Sequence, residues 1–299
     1  MIVNQQALRG IYTSFKVIFN KAFENAEPQH TKVATVIPSS AGSENYKWLG
    51  KIPRMREWIG DRVIQNLSAY DYTIKNKDFE VTIGVDRNDI EDDTIGVYRP
   101  LIEQIGESAK LHPDELVFEL LLKGFEEKCY DGQTFFSASH KEGKSGTQSN
   151  KSEFKLEPRS YGAARTQMRS LKDDQGKVIK VNPNLLVVSP QNEDMAKKIL
   201  TAEKIDGEVN IYKGTSELLV VPELADVPNA WFLLDVSRPI RPLIFQQRKA
   251  PQFVAKDNID DDNVFFQKQF IYGADSRDNA GYGLWQLAFG STGTKSMPA

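Results

Sequence analysis

Between Tyr70 and Val85 apolar and polar positions alternate. Tyr70, Tyr72 and Ile74 are interleaved with Asp71, Thr73 and Lys75; beyond a polar break at Asn76-Lys77-Asp78, Phe79, Val81, Ile83 and Val85 are interleaved with Glu80, Thr82 and Gly84. A period of two puts one set on each face of a strand, and two such runs around a polar break predict a hairpin. Near the start of the chain the period changes. Leu8, Ile11, Phe15, Ile18, Phe19 and Phe23 recur at spacings of three and four, mostly, which predicts a helix over Asn4–Ala26 with one apolar stripe. That stripe needs a cover, either its own domain or an adjacent subunit. His30–Asn45 reads as an extended polar connector.

After the alternating region a long helical pattern begins. Asp92 or Asp93 can cap it, since a carboxylate accepts hydrogen bonds from the first free N–H groups. Leu101, Ile105 and Ala109 then mark one face. Pro113 either interrupts this helix or opens a new one, with Asp114 and Glu115 favourable at a new N-terminus. Leu116, Val117, Leu120, Leu121, Leu122 and Phe125 make the stretch after Pro113 the most apolar helix of the chain, predicted to be buried. Lys141–Lys155 is polar and reads as an exposed, protease-accessible loop. A helix over Tyr161–Leu171, a strand at Leu185–Val188, a helix over Met195–Thr201 and strands at Leu218–Val221, Trp231–Leu234 and Leu243–Phe245 predict a mixed α+β module. Phe265–Tyr272 and Gly283–Phe289 are expected to return to the earlier sheet. Gly281-Tyr282-Gly283 reads as a turn.

Composition narrows the classes. The 299 residues can hold one large domain or two ordinary ones, and 40% apolar with 26% charged residues is ordinary for a globular protein. A net charge of −3, from 38 basic and 41 acidic residues, gives no electrostatic case for wrapping DNA. The single cysteine, Cys129, rules out an intrachain disulfide and fits a reducing compartment. The first residues lack the pattern of a secretory signal, and no window approaches the ~20 apolar residues of a membrane span. A soluble, cytoplasmic protein is expected.

The search for chemistry finds little. His30, His112 and His140 have no helix-spaced partners for a metal. Cys129 and His140 are close enough in sequence for a nucleophilic pair, and so for a hydrolase, but no orienting group is evident; His140 is better read as holding the loop after Phe135 and Phe136. Asp257, Asp260, Asp261 and Asp262 are candidates for a cation site, although the run lacks the spacing of a calcium loop, and solvated or inter-subunit charges explain it better. No catalytic residue and no cofactor are assigned. Arg54, Arg56 and Arg62 with Trp48 and Trp58 form the remaining cluster. They fit either phosphate contact with base stacking or, given the intervening Glu57 and Asp61, a protein interface, where Trp and Arg are enriched.

The segments WLGKIPRMREWIGDR (Trp48–Arg62), NKDFEVTIGVDRNDIEDDTIG (Asn76–Gly96), DGQTFFSASH (Asp131–His140), NPNLLVVSP (Asn182–Pro190), WFLLDVSRPIRPLIFQQR (Trp231–Arg248) and YGADSRDNAGYGLWQLAFGS (Tyr272–Ser291) resemble, in this order, the major head subunit of Mu-like phages and prophages. The resemblance implies the Hong Kong 97-type capsid fold of class α+β: an N-terminal arm (1–45), an extended hairpin or E-loop (46–90), a peripheral domain with a long spine helix (91–155 and 265–299) and an axial domain (156–264). It implies a structural role in an icosahedral shell around double-stranded DNA, built from pentamers and hexamers of the chain itself. Scaffolding protein, head-maturation protease and portal are the implied partners, DNA is touched weakly, no membrane is involved, and assembly occurs in the host cytoplasm. Trp48, Arg54, Arg56, Trp58, Arg62 and Arg277 are the expected inter-subunit contacts.

Overall fold

The computed structural model describes residues 3–50, 55, 57, 59, 61, 62 and 71–298. In chain order, α1 (Gln5–Asn25) and α2 (His30–Val33) lead into β1 (Ala34–Pro38) and β2 (Ser43–Asn45). Then come β3 (Thr73–Lys75), β4 (Lys77–Asp86), α3 (Arg87–Glu91) and α4 (Arg99–Lys123). The middle holds β5 (His140–Lys141), β6 (Thr147–Gln148), β7 (Lys151–Phe154), α5 (Pro158–Arg169), β8 (Leu185–Val188), α6 (Glu193–Thr201), β9 (Lys204–Ile205) and β10 (Glu208–Val209). The chain ends with β11 (Glu217–Val220), β12 (Trp231–Leu234), β13 (Leu243–Lys256), α7 (Asp262–Gln267), β14 (Gln269–Tyr282) and β15 (Ala288–Lys295).

Two sheets organise the fold. A four-stranded sheet runs β1-β13-β14-β4, and a five-stranded one runs β11-β8-β12-β15-β7. β8 and β12 are buried along their whole length, as their unbroken apolar runs require. The predicted return of Gly283–Phe289 to the first sheet does not occur. β15 instead pairs antiparallel with β12 and parallel with β7, so Gly283–Leu287 is the crossover between the sheets.

α4 serves both cores. Its first half gives Ile102, Ile105 and Ala109 to the smaller cluster; its second half gives Val117, Phe118, Leu120 and Leu121 to the larger one. Leu101, expected inside, is exposed, because Ile102 takes the inward position. The helix runs through Pro113 without ending. Next to it, Asp114 accepts hydrogen bonds from the backbone N–H groups of Gln29 (2.7 Å) and His30 (2.8 Å) and pairs with His30 Nδ1 at 2.7 Å. These tertiary bonds, with packing on both sides, hold the helix across a residue that removes one internal hydrogen bond. Asp92 and Asp93 do not cap α4. Asp86 caps α3 through Asn88 N–H at 2.7 Å, and Asp93 turns the chain in a left-handed conformation.

The stripe of α1 is spent on its own module. Leu8, Ile11, Phe15 and Phe19 are buried against α4 and the four-stranded sheet, with Phe15 edge-on to Tyr272 at 5.1 Å. Gly106 permits the close crossing, since a Cβ there would lie 2.6 Å from the carbonyl oxygen of Phe19. α1 is therefore not an arm that needs a neighbour to cover it.

Candidate functional site

Described residues form the root of the long segment between β2 and β3. The predicted hairpin of two alternating runs does not form: β3 pairs with β2, and β4 pairs with β14. Only Asn76 separates β3 from β4, and one residue cannot reverse a chain between paired strands. Asn76 is buried and works as a pin. Its amide donates to Ser39 Oγ (2.9 Å) and Ala41 O (2.8 Å), and its oxygen accepts from Gln246 Nε2 (2.6 Å). Gln246 also accepts from the Tyr46 hydroxyl at 2.8 Å, and burial pushes that phenol up to about 12. Glu44 gathers Ser40 N–H, Ser39 Oγ and Ala41 N–H, and the backbone bond from Ser40 leads in holding its carboxyl below the usual range. At the far side Gly281, a strand residue rather than part of a turn, leaves room for Ile74 and Tyr72. The arm is thus rigidly anchored at its base.

The expected contact residues divide around this root. Trp48 is half-buried against the larger core and meets Tyr46 edge-on at 6.0 Å, so part of its surface is already used within the chain. Arg62 is exposed, while Arg54, Arg56 and Trp58 lie outside the described residues. Arg277 sits at the base of the arm, its Nε 3.5 Å from Asp78 Oδ1. Along the arm, Met55 and Ile59 are 99% and 73% exposed.

A second exposed apolar feature went unread in the sequence. Phe265 and Phe266 on α7, at the tip of the long β13–β14 pair, are 79% and 76% exposed and meet edge-on at 5.0 Å. Adjacent on a six-residue helix, they cannot both turn to one buried face, a geometry that two neighbouring Phe in the sequence do not reveal. The acidic run lies beside them. Asp261 accepts from Asn258 N–H at 3.0 Å, Asp257 accepts from Tyr272 Oη at 3.3 Å with burial raising its carboxyl, and Asp260 and Asp262 are exposed. The four do not converge as a cation site among the described residues.

The side chains that do converge are Cys129, Asp131 and His140. His140 Nδ1 pairs with Asp131 Oδ2 at 2.6 Å, Cys129 Sγ donates to Asp131 Oδ1 at 3.2 Å, and the His140 ring stacks on Trp285 at 3.9 Å. His140 Nε2 faces the carbonyl of Phe135 at 3.3 Å, the loop-holding role expected for it. The orienting carboxylate that the sequence did not point to is Asp131, but it stands between Cys129 and His140. Burial, then the Asp131 carboxylate, push the Cys129 thiol up, the reverse of activation. The donors are satisfied by one another, so neither hydrolysis nor metal binding finds support here.

This cluster belongs to a clamp on the crossover between the sheets. Buried Glu142 accepts from Tyr130 Oη, Trp285 Nε1 (2.9 Å) and Gln286 Nε2 (3.1 Å). Fully buried Asn150 donates to the carbonyls of Phe135 (2.8 Å), Ala288 (3.1 Å) and Trp285 (3.2 Å) and accepts from Ser137 N–H at 2.8 Å. Lys141–Lys155 is therefore exposed only in part: Lys141, Lys144, Thr147, Glu153 and Lys155 face solvent as its polarity suggested, while Glu142, Ser145 and Asn150 are buried. Burial raises the Glu142 carboxyl. Burial would also raise Asp131, but the bond from His140 wins and lowers it.

The family model for the Mu-like prophage major head subunit gpT matches residues 8–158, 150–224 and 225–297. The chain is 36% identical to the major capsid protein of Escherichia phage Mu over 297 residues, covering 99% of this chain and 77% of that protein. It is 33% identical to the Mu-like prophage FluMu major head subunit of Haemophilus influenzae, covering 96% and 73%. Among solved structures, the procapsid of bacteriophage JBD30 matches with a TM-score of 0.63 and 35% identity over 99% of this chain and 77% of that one. The fold is the Hong Kong 97-type fold. No helix among the described residues is long and apolar enough to cross a membrane. From end to end the chain belongs to the Mu-like prophage major head subunit gpT family, whose members are structural capsid subunits and not enzymes.

Proposed function

We propose that many copies of this chain close into an icosahedral phage head that encloses double-stranded DNA. The observation carrying this reading is family membership along the whole chain. Its physical counterpart is a subunit with buried cores that still exposes apolar groups at two places, Met55 and Ile59 in the arm and Phe265 and Phe266 on α7. Such groups on a folded subunit ask for a partner surface. The four-stranded sheet with α1 and α4 serves as the peripheral domain and the five-stranded sheet as the axial domain, packing into pentamers and hexamers. The arm, carrying Arg54, Arg56, Trp58 and Arg62, reaches over the next copy, with Trp48 and Arg277 at its root. Each contact need be worth only a few kcal/mol, because a closed shell multiplies weak contacts.

Scaffolding protein, head-maturation protease and portal complete the assembly in the host cytoplasm, and DNA is touched weakly, as a net charge of −3 suits. Negative-stain microscopy and sedimentation of the purified chain, with and without the neighbouring scaffold product, test this. Shells, tubes or rings of five or six are expected. A uniform small species under every condition would overturn it. Phe265→Ser with Phe266→Ser is expected to leave the subunit folded and suppress particles.

A further inference from the structure

Midway along α4, His112 stands between two carboxylates. Its Nε2 is 3.5 Å from Asp278 Oδ1 on β14, and its Nδ1 is 3.9 Å from Glu115 Oε2, one turn further along α4. The ring packs on Phe79 of β4, with 4.2 Å between centroids. Asp278 is 1% exposed, and neither of its oxygens has a hydrogen-bond donor among the described residues. Its ion-pair partner is His112.

A buried carboxylate is costly unless a positive group balances it. The other charges around the ring do not supply one. On β14, Arg277 turns to Asp78 of β4 (3.5 Å), and Asp275 holds Lys249 of β13 (2.6 Å). Lys77, opposite Asp278 on β4, is exposed and makes no hydrogen bond with it. Glu80 of β4 and Glu115 of α4 are exposed and acidic. Glu80, Glu115 and Asp275 line a cavity of about 220 Å3 together with His112, and Asp278 is not part of its wall. The His112 side chain, 18% exposed, can thus trade a proton with water, while the carboxylate behind it is cut off.

A doubly protonated imidazole presents an N–H to each carboxylate and a positive charge to the Phe79 ring. A neutral one has a single N–H. Whichever nitrogen keeps it, the other turns a lone pair on a carboxylate, and the charge that balances Asp278 is gone.

We propose that His112 is a pH-operated latch between α4 and the four-stranded sheet, closed while the ring is charged and released when it loses a proton. Its contribution is present in acid and is lost as pH rises through the range in which the ring deprotonates. The latch belongs to the single subunit and stands apart from the shell reading.

Dispersed full-length subunits of the wild type, His112→Gln, Asp278→Asn and the double variant are unfolded in urea at about pH 5.5 and about pH 8.5, either side of the ordinary imidazole value. His30 and His140 are common to all four and cancel. In acid the two replacements are expected to be coupled by about tenfold or more in the unfolding constant, and at the alkaline value the coupling is expected to vanish. Coupling of the same size at both values, or none at either, overturns the latch. Should Asp278→Asn fail to fold, the wild type against His112→Gln carries the test: a stability gap equal at the two pH values overturns the proposal. Hydrogen exchange of the α4 amides around His112, corrected for the intrinsic effect of pH, gives the local readout. Protection is expected to drop from the acid to the alkaline value in the wild type and not in His112→Gln; an equal drop in both overturns the assignment.

Discussion

His140–Phe154 and the arm between Tyr46 and Tyr72 invert what their compositions suggest. From Lys141 to Glu153 there is no apolar side chain, yet Glu142, Ser145 and Asn150 are buried. The arm carries Trp48, Met55, Trp58 and Ile59, yet Met55 and Ile59 stand in solvent. Polarity is compatible with burial when every donor and acceptor meets a complement. Apolarity is compatible with exposure when the surface it is to cover belongs to another molecule. The clamp closes the fold of one subunit, and the arm is proposed to reach the next.

The clamp is where the comparison breaks hardest. Asn150→Ala removes a donor from each of three carbonyls and leaves the Ser137 N–H without its acceptor in a fully buried site. A loss of about 3–5 kcal/mol is expected, from the ~1–3 kcal/mol cost of each unsatisfied buried group with partial relaxation. Urea unfolding of the dispersed subunit measures it. A loss below about 1 kcal/mol would mean that the segment is held by something else.

Asp114 comes next. Its replacement by Ala frees His30 and two backbone N–H groups beside Pro113, for a loss of about 2–3 kcal/mol. The dependence on pH has a sign. Burial alone would raise this carboxyl, but the His30 side chain and the two N–H bonds lower it. Its contribution is therefore present above the usual carboxylate range and is lost as pH falls through the lowered value. Melting the variant and the wild type across acid pH should bring the curves together at the low end.

Glu142→Gln should change stability least among the buried groups, by about 1 kcal/mol at low pH, because an amide can accept and donate in place of the acid. Its sign is opposite. Burial raises the Glu142 carboxyl, so the folded state favours the protonated form. That contribution is present below the unfolded pKa and lost as pH rises through the folded one. The wild type should lose ground to the Gln variant on going from acid to neutral pH, and parallel curves would sink the assignment.

Legibility followed the physics. The stripe of α1, the apolar half of α4 and the runs of β8 and β12 were readable because burial against the chain's own core imposes a period or an unbroken run. The alternation before and after Asn76 was readable too, but not its pairing. Periodicity reports which face is covered and says nothing of the partner strand, which Asn76 and Gln246 fix through buried bonds. The clamp escaped because hydropathy counts Glu142 and Asn150 as surface residues. The α7 pair escaped because two adjacent Phe look like core until the helix is known to be a six-residue tip.

Met55→Ser with Ile59→Ser sharpens the comparison from the other side. Both side chains are exposed in the subunit, so unfolding should change by less than about 0.5 kcal/mol. In the shell each is expected to lose its water contact against a neighbour, and burying one such side chain is worth about 1.5–3 kcal/mol. Two per copy, repeated around a closed surface, raise the concentration needed for assembly steeply while the isolated subunit melts as before. Sedimentation at graded concentrations reads the shift. Shells forming at the wild-type concentration would place these groups in solvent after assembly as well, and the partner surface would then have to be sought at Phe265 and Phe266. Arg62→Ala, on the same arm, should act in the same direction with a smaller shift that shrinks further as salt is added, since an exposed charge pair is screened where apolar burial is not.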